Sequence, residues 1–211
     1  MKLIIGSKTV STWSIRPWMV MKYFKLPFEE ILIPLDQMYT GTEIAKYSKA
    51  GRVPILIDGD VKVWDSLAIC EYLAETVGTE KNLWPADRQQ RAWARSICAE
   101  MHSGFTAMRE HLSAEFLKEG LPYPKNEAVL KDLARVKAIW TECIGHPARN
   151  AKSWGPFLFG DFSIADAFFA PVVSRFRTYS VEMDPTCAAY AEAIWTLPVF
   201  QEWLEGARKE V

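Results

Sequence analysis

The 211-residue chain sets 25 Lys and Arg against 26 Asp and Glu, for a formal net charge of −1, and is 49% hydrophobic. That balance gives no bulk electrostatic grip on nucleic acid or an anionic membrane, and no apolar run approaches the ~20 residues a bilayer span needs. The length suits one large domain or two small ones, each able to bury a core.

Lys2 is followed by only the short apolar run Leu3-Ile4-Ile5, which lacks the pattern of a secretory signal. This run reads as a first strand ending at Gly6. A helical pattern covers Ser14–Phe24, a second strand covers Glu30–Ile33, and a short helix runs through Tyr47. Val53–Ile57 and Val61–Trp64 flank Asp58-Gly59-Asp60, a tight-turn signal, and so form a hairpin. A helix over Ser66–Val77 follows, with Ile69, Leu73 and Val77 on one face and Gly78 as its stop.

Residues 79–87 read as a linker. Beyond them no strand is expected, and helical patterns cover Asp87–Lys118, Asn126–Ile144, Ser163–Tyr179, Pro185–Ile194 and Leu197–Arg208. The expected fold class is therefore α+β with two domains, an α/β unit over 1–78 and an all-helical domain over 88–211. Ser163-Ile164-Ala165-Asp166 has the spacing of a capping box.

Cys70, Cys98, Cys143 and Cys187 are scattered, with no C-x-x-C pair and no clustered histidines. They read as small buried hydrophobes, with no metal site, in a reducing cytoplasm. Of the nine tryptophans, Trp93, Trp140, Trp195 and Trp203 fall in helical patterns and read as core. Trp13, Trp18 and Trp64 fall nearer the candidate site.

Two features of the first domain carry chemistry. Pro54 opens an apolar strand at a position where a proline is tolerated. Asp65-Ser66 sits where a strand hands over to a helix, whose unpaired N–H groups and positive dipole end favour an anionic ligand group. Together they suit a small peptide-like ligand read by its backbone and its charged ends.

Ser11, Thr12 and Ser14 place three hydroxyls at the start of the first helix, where they either cap it or donate to an anion. A thiolate is the anion to consider. A free thiol has a pKa of about 8.5, and lowering it by ~2 units takes about 2.7 kcal/mol of preferential stabilisation. A hydrogen bond to a charged group supplies ~1.5–3 kcal/mol and a helix N-terminus ~0.3–1 kcal/mol. A serine at a helix start is therefore sufficient without a metal or a general base.

With these residues in order, the whole chain resembles the cytosolic glutathione transferase family. The resemblance implies a thioredoxin-like first domain, with Ser11–Ser14 where redox relatives carry C-x-x-C and Val53-Pro54 at the family's cis-proline. It implies that Val53 main-chain atoms pair with the cysteinyl backbone of glutathione and that Asp65-Ser66 hold its γ-glutamyl group. Ser163–Asp166 matches the family's capping box. The serine pattern is nearest to zeta-like and related bacterial members. Aligned on Arg16, Ser11 takes the catalytic position, Thr12 replaces a second serine and Trp13 replaces the cysteine on which isomerases of this type rely.

Arg16 is expected to pair with a carboxylate, and Arg52 to reach the glycyl carboxylate, with Gln37 and Lys49 as weaker candidates there. His102, Phe105 and Arg109 share one face of a continuous helix and, with Arg175, Tyr179 and Trp13, would form the second-substrate pocket. The expected partners are glutathione, a small electrophile or peroxide, and a second copy of the chain, in a detoxifying role. The alternatives are a glutathione-dependent cis–trans isomerase and a non-catalytic adaptor.

Overall fold

The computed structural model describes residues 1–76, 79–146 and 155–211. In chain order they form β1 (Lys2–Gly6), α1 (Ile15–Tyr23), β2 (Glu29–Ile33), α2 (Thr40–Ala45), β3 (Ile55–Asp58), β4 (Val61–Trp64) and α3 (Ser66–Thr76). After a 3₁₀ turn at Thr79–Lys81 come α4 (Arg88–Ser103), α5 (Thr106–His111), α6 (Glu127–Ile144), α7 (Ile164–Thr178), α8 (Pro185–Trp195) and α9 (Pro198–Arg208). The expected helix through Val77, and its stop at Gly78, end outside the described residues.

The sheet runs β2-β1-β3-β4. β1 pairs parallel to β2 and antiparallel to β3, with Ile4 opposite both Ile31 and Ile55. β1 is covered on both faces, which is why it is a continuous apolar run. Leu3 and Ile5 point into the main core with α1 and α3, while Ile4 joins Ile33, Ile44 and Ile55 on the other side. The β3–β4 hairpin closes at Gly59, whose φ of 56° favours glycine.

Helix boundaries follow their caps. Asp87 accepts from the Gln90 N–H, Asn126 from Val129 and Asp184 from Thr186 and Cys187. The segment expected as a linker is packed, with Leu83 and Trp84 buried and the Leu83 carbonyl accepting from Ile164 N–H.

One helical expectation is corrected. Asp87–Lys118 is not continuous, because the chain turns at Gly104 and at Phe105, whose φ of 60° is left-handed. A Cβ at Gly104 would lie 2.8 Å from the Glu100 carbonyl oxygen. His102 and Arg109 therefore lie on separate helices, and Phe105 occupies the break between them.

α7 is the spine of the helical domain, buried along almost its whole length and packed against α1, α4 and α8. The capping box at its start is present. Asp166 is fully buried and accepts from the Leu158 and Ser163 N–H groups, the Ser163 hydroxyl and the Tyr190 hydroxyl. Burial nevertheless dominates and raises its pKa to about 6, against the pull of those hydrogen bonds. The folded chain thus takes up this proton before the unfolded chain does, so the Asp166 contribution to stability falls as pH rises from about 4 to about 6. Urea unfolding of the natural chain and of Asp166→Asn should show a stability difference that shifts against the natural chain across that interval. A pH-independent difference would refute the assignment.

Candidate glutathione site

A cavity of about 650 Å³ opens between the two domains and is lined by Trp13, Ala50, Arg52, Val53, Pro54, Trp64, Asp65, Ser66 and His102. Two loops of the first domain, its β4–α3 junction and one helix of the second domain supply these residues. The Val53-Pro54 peptide is cis, and the ladder of β3 begins only at Ile55, so the Val53 main chain stands outside the sheet. Gln37 and Lys49 are exposed and do not line the cavity.

Asp65 adopts a left-handed φ of 79° at the start of α3. Its Oδ1 accepts from the Leu67 and Ala68 N–H groups at 2.8 and 3.2 Å, and its Oδ2 lies 2.9 Å from His102 Nε2. A carboxylate offers about four acceptor sites, so one stays open toward the cavity. Beside it the Ser66 hydroxyl is buried and has no hydrogen-bond partner among the described residues. An orphaned buried hydroxyl costs on the order of 1–3 kcal/mol. At a helix N-terminus, facing a cavity, it is suited to an anionic oxygen.

The turn between β1 and α1 presents Trp13 to the cavity rather than its hydroxyls. Ser11 and Thr12 are each 6% exposed and do not line it. Ser11 Oγ and Ser14 Oγ are 2.8 Å apart, and Ser14 Oγ also accepts from Gly6 N–H at 3.1 Å. Ser14 is fully buried and makes no side-chain cap on α1. The Ser14 hydroxyl braces the turn to the end of β1, and Ser14 does not line the cavity.

Trp13 is held by charge and by ring contact. The guanidinium carbons of Arg16 and Arg109 lie 4.3 and 4.8 Å from its ring centre, and the His102 ring meets it edge-on at 5.2 Å. Arg16 also lies 4.7 Å from the Phe168 ring centre. Contrary to expectation, Arg16 pairs with no carboxylate among the described residues, and its Nε and Nη1 atoms have no partner there. Burial, and then the charge of Arg109, pull its pKa down to about 9.

The remaining pocket candidates separate. Arg109 donates to the carbonyls of Met101 and Gly104, and Arg175 to that of Leu112. Burial first, then Arg109, lowers the Arg175 pKa to about 10. Tyr179 meets the Ser113 hydroxyl at 3.0 Å and lines a different cavity, with Leu121, Tyr123 and Val181. Phe105 is 7% exposed, in the core. Phe105, Arg175 and Tyr179 therefore do not join Trp13 and His102 at the cavity: Phe105 occupies the break after α4, and Arg175 and Tyr179 lie at the C-terminal end of α7. Trp64, which the sequence placed beside the site, lines the wall, whereas the Asp65–His102 contact across the domains and Ala50 in the wall were not among the sequence candidates for this site. The position of Ala50 just before Arg52-Val53-Pro54 was the one local signal available.

All four cysteines are free and buried. No group of three or more His, Cys, Asp or Glu among the described residues could hold a metal ion, and no described helix is long and apolar enough to cross a membrane.

Residues 10–76 match the family model described as glutathione S-transferase, N-terminal domain, and residues 91–206 match the corresponding C-terminal domain. Glutathione S-transferase Z1 of Arabidopsis thaliana is 28% identical over 77% of this chain and 73% of its own length. Glutathione S-transferase 1 of Dianthus caryophyllus is 33% identical over 87% and 80%. A solved glutathione transferase homolog from Burkholderia gl BGR1, with bound glutathione, superposes with a TM-score of 0.73 at 25% identity, covering 99% of this chain and 98% of that one. A bacterial zeta-class maleyl pyruvate isomerase shares the fold, with a TM-score of 0.66 at 22% identity and 98% of each chain covered. With both domain models matched and the cis-proline and Asp-Ser elements facing one cavity, the chain belongs to the glutathione S-transferase family.

Proposed function

We propose that the protein is a serine-type glutathione transferase that ionises the glutathione thiol for attack on a small electrophile or peroxide. The observation that carries this reading is that the cis Val53-Pro54 peptide, Asp65 and the unpartnered Ser66 hydroxyl line one cavity. In this reading Val53 main-chain atoms pair with the cysteinyl backbone. Asp65 uses its open acceptor site for the α-ammonium of the γ-glutamyl group, and Ser66 donates to the α-carboxylate. Arg52, exposed at the cavity rim, takes the glycyl carboxylate.

Ser11 donates to the thiolate. The Ser11 hydroxyl donates to Ser14 Oγ at 2.8 Å and accepts from Ser14 N–H at 3.4 Å, so it carries a proton it can turn and an oxygen already held at the helix start. In this reading Ser11 turns its proton from Ser14 Oγ to the sulfur, while Ser14 Oγ keeps the Gly6 N–H. Thr12 is the alternative donor, since its hydroxyl makes no hydrogen bond among the described residues. Trp13 and His102 wall the cavity for the second substrate. The family supports a cytoplasmic homodimer with a detoxifying role.

Isomerase chemistry remains the second reading, favoured by the zeta-class relatives and disfavoured by Trp13 where such enzymes carry cysteine. Turnover of maleylacetoacetate would establish it. An adaptor without catalysis would fail both retention on immobilised glutathione and conjugation of a chloronitrobenzene.

Ser11→Ala should raise the pKa of the bound thiol by about 1–2 units and leave the KM for glutathione within about threefold. An unchanged pH–rate profile would move the role to Thr12. Ser66→Ala should instead weaken glutathione binding by about 10- to 100-fold with little change in thiol pKa. Calorimetric titration checks the first quantity and thiolate absorbance the second.

A further inference from the structure

Lys8 lies three residues before Ser11 and is held from four directions. Its N–H donates to Glu210 Oε1 at 2.8 Å, and its carbonyl accepts from the Trp203 indole at 3.0 Å. Its ammonium is 2.7 Å from Glu30 Oε1 and lies 5.0 and 5.5 Å from the Trp18 and Trp203 ring centres. Glu30 is itself fixed, since its other oxygen accepts from the Trp18 indole. A Cβ added at Gly206 would come within 2.7 Å of Lys8 Cδ, so the last helix is shaped to admit this stem.

Exposed Lys–Glu pairs contribute little to stability. This one differs in geometry: the Lys8 side chain is 10% exposed, and its main-chain donor and acceptor are both taken by the segment from Trp203 to Glu210. The neighbouring Thr9 carbonyl accepts from Phe116 N–H at 3.3 Å, and Ser11 N–H donates to Ser7 O at 2.9 Å. The turn carrying Ser11 is thus hung on the helical domain through residues that do not line the cavity.

We propose that Lys8 is a positioning residue, through which α9, Glu30 and Glu210 fix the turn that presents the thiol-binding hydroxyl. The inference rests on the glutathione reading above and adds residues that touch neither substrate. Hydrogen bonds to a developing charge depend on placement to a fraction of an ångström. Loosening the turn should therefore affect thiol ionisation, while the γ-glutamyl and cysteinyl contacts, on other loops, persist.

The test compares the pKa of glutathione's thiol, by thiolate absorbance on the bound complex, with the KM for glutathione. Lys8→Met keeps the stem and removes the ammonium. It should cut the thiolate fraction below the pKa by about three- to tenfold, with KM within about twofold. Lys8→Arg should recover part of that loss. Glu210→Ala, on the exposed final turn, and Gly206→Ala should move the pKa the same way by less, and they keep the test alive if Lys8→Met does not fold. A role in stability alone would lower the unfolding midpoint and leave the thiol pKa unmoved in all of these variants, which overturns the proposal. A shift with Lys8→Met but none with Ser11→Ala would uphold the clamp and displace Ser11 as donor. The reverse would keep Ser11 and overturn the clamp.

Discussion

A turn without regular secondary structure must take its shape from its neighbours, and here the chemistry rests on such a turn. Ser7 to Ser14 links the end of β1 to the start of α1, and its internal bonds, from the Val10 and Ser11 N–H groups to the Ser7 carbonyl and from Thr12 N–H to the Val10 carbonyl, are joined by bonds to its neighbours. The Ser14 hydroxyl holds Gly6, the Ser7 hydroxyl holds Leu35, and Lys8 and Thr9 are held by groups of the helical domain. Each bond is ordinary in strength. Their effect lies in convergence, because the turn cannot shift without breaking several at once. The interface between the domains is therefore part of the site even where no ligand would touch it.

The same interface shapes the cavity. Asp65, from the first domain, caps α3 with one oxygen and meets His102 of α4 with the other. His102 in turn packs edge-on against Trp13. A ring of contacts thus runs from the Asp-Ser element through α4 to the active turn. A carboxylate engaged on three of its acceptor sites has little freedom to rotate, so its remaining site points in a defined direction. Preorganisation of this kind lowers the ordering cost of binding.

Much of this was legible in the sequence, for physical reasons. Hydrophobic runs, Asp58-Gly59-Asp60, the helix caps and Ser163–Asp166 are local signals, and their elements appear where the patterns place them. Val53-Pro54 and Asp65-Ser66 are local too, and both line the cavity. What was not legible depended on breaks and on distant pairs. The left-handed Phe105 interrupts a helix whose apolar spacing continues through it, so the face shared by His102 and Arg109 was misread. Lys8 gave no signal, since its partners Glu30, Trp203 and Glu210 are scattered along the chain. Arg16 was expected to pair with a carboxylate, the usual partner of a buried cation. Two aromatic faces stand in that place.

The arginines near Trp13 carry the same logic further. Burial lowers the pKa of Arg16, Arg109 and Arg175, with the charge of Arg109 adding to the effect on the other two, and none has an ion pair among the described residues, yet each has a reason to stay. Arg109 and Arg175 meet carbonyls at the ends of α4 and α5, where the helix dipole is negative. The break after Ser103 is what exposes the Met101 and Gly104 carbonyls to Arg109. Had the helix continued, Met101 and Gly104 would have spent their acceptors on backbone N–H groups, and Arg109 would have lost its place beside Trp13. The irregularity that defeats the helical reading is thus the feature that fixes the cavity wall.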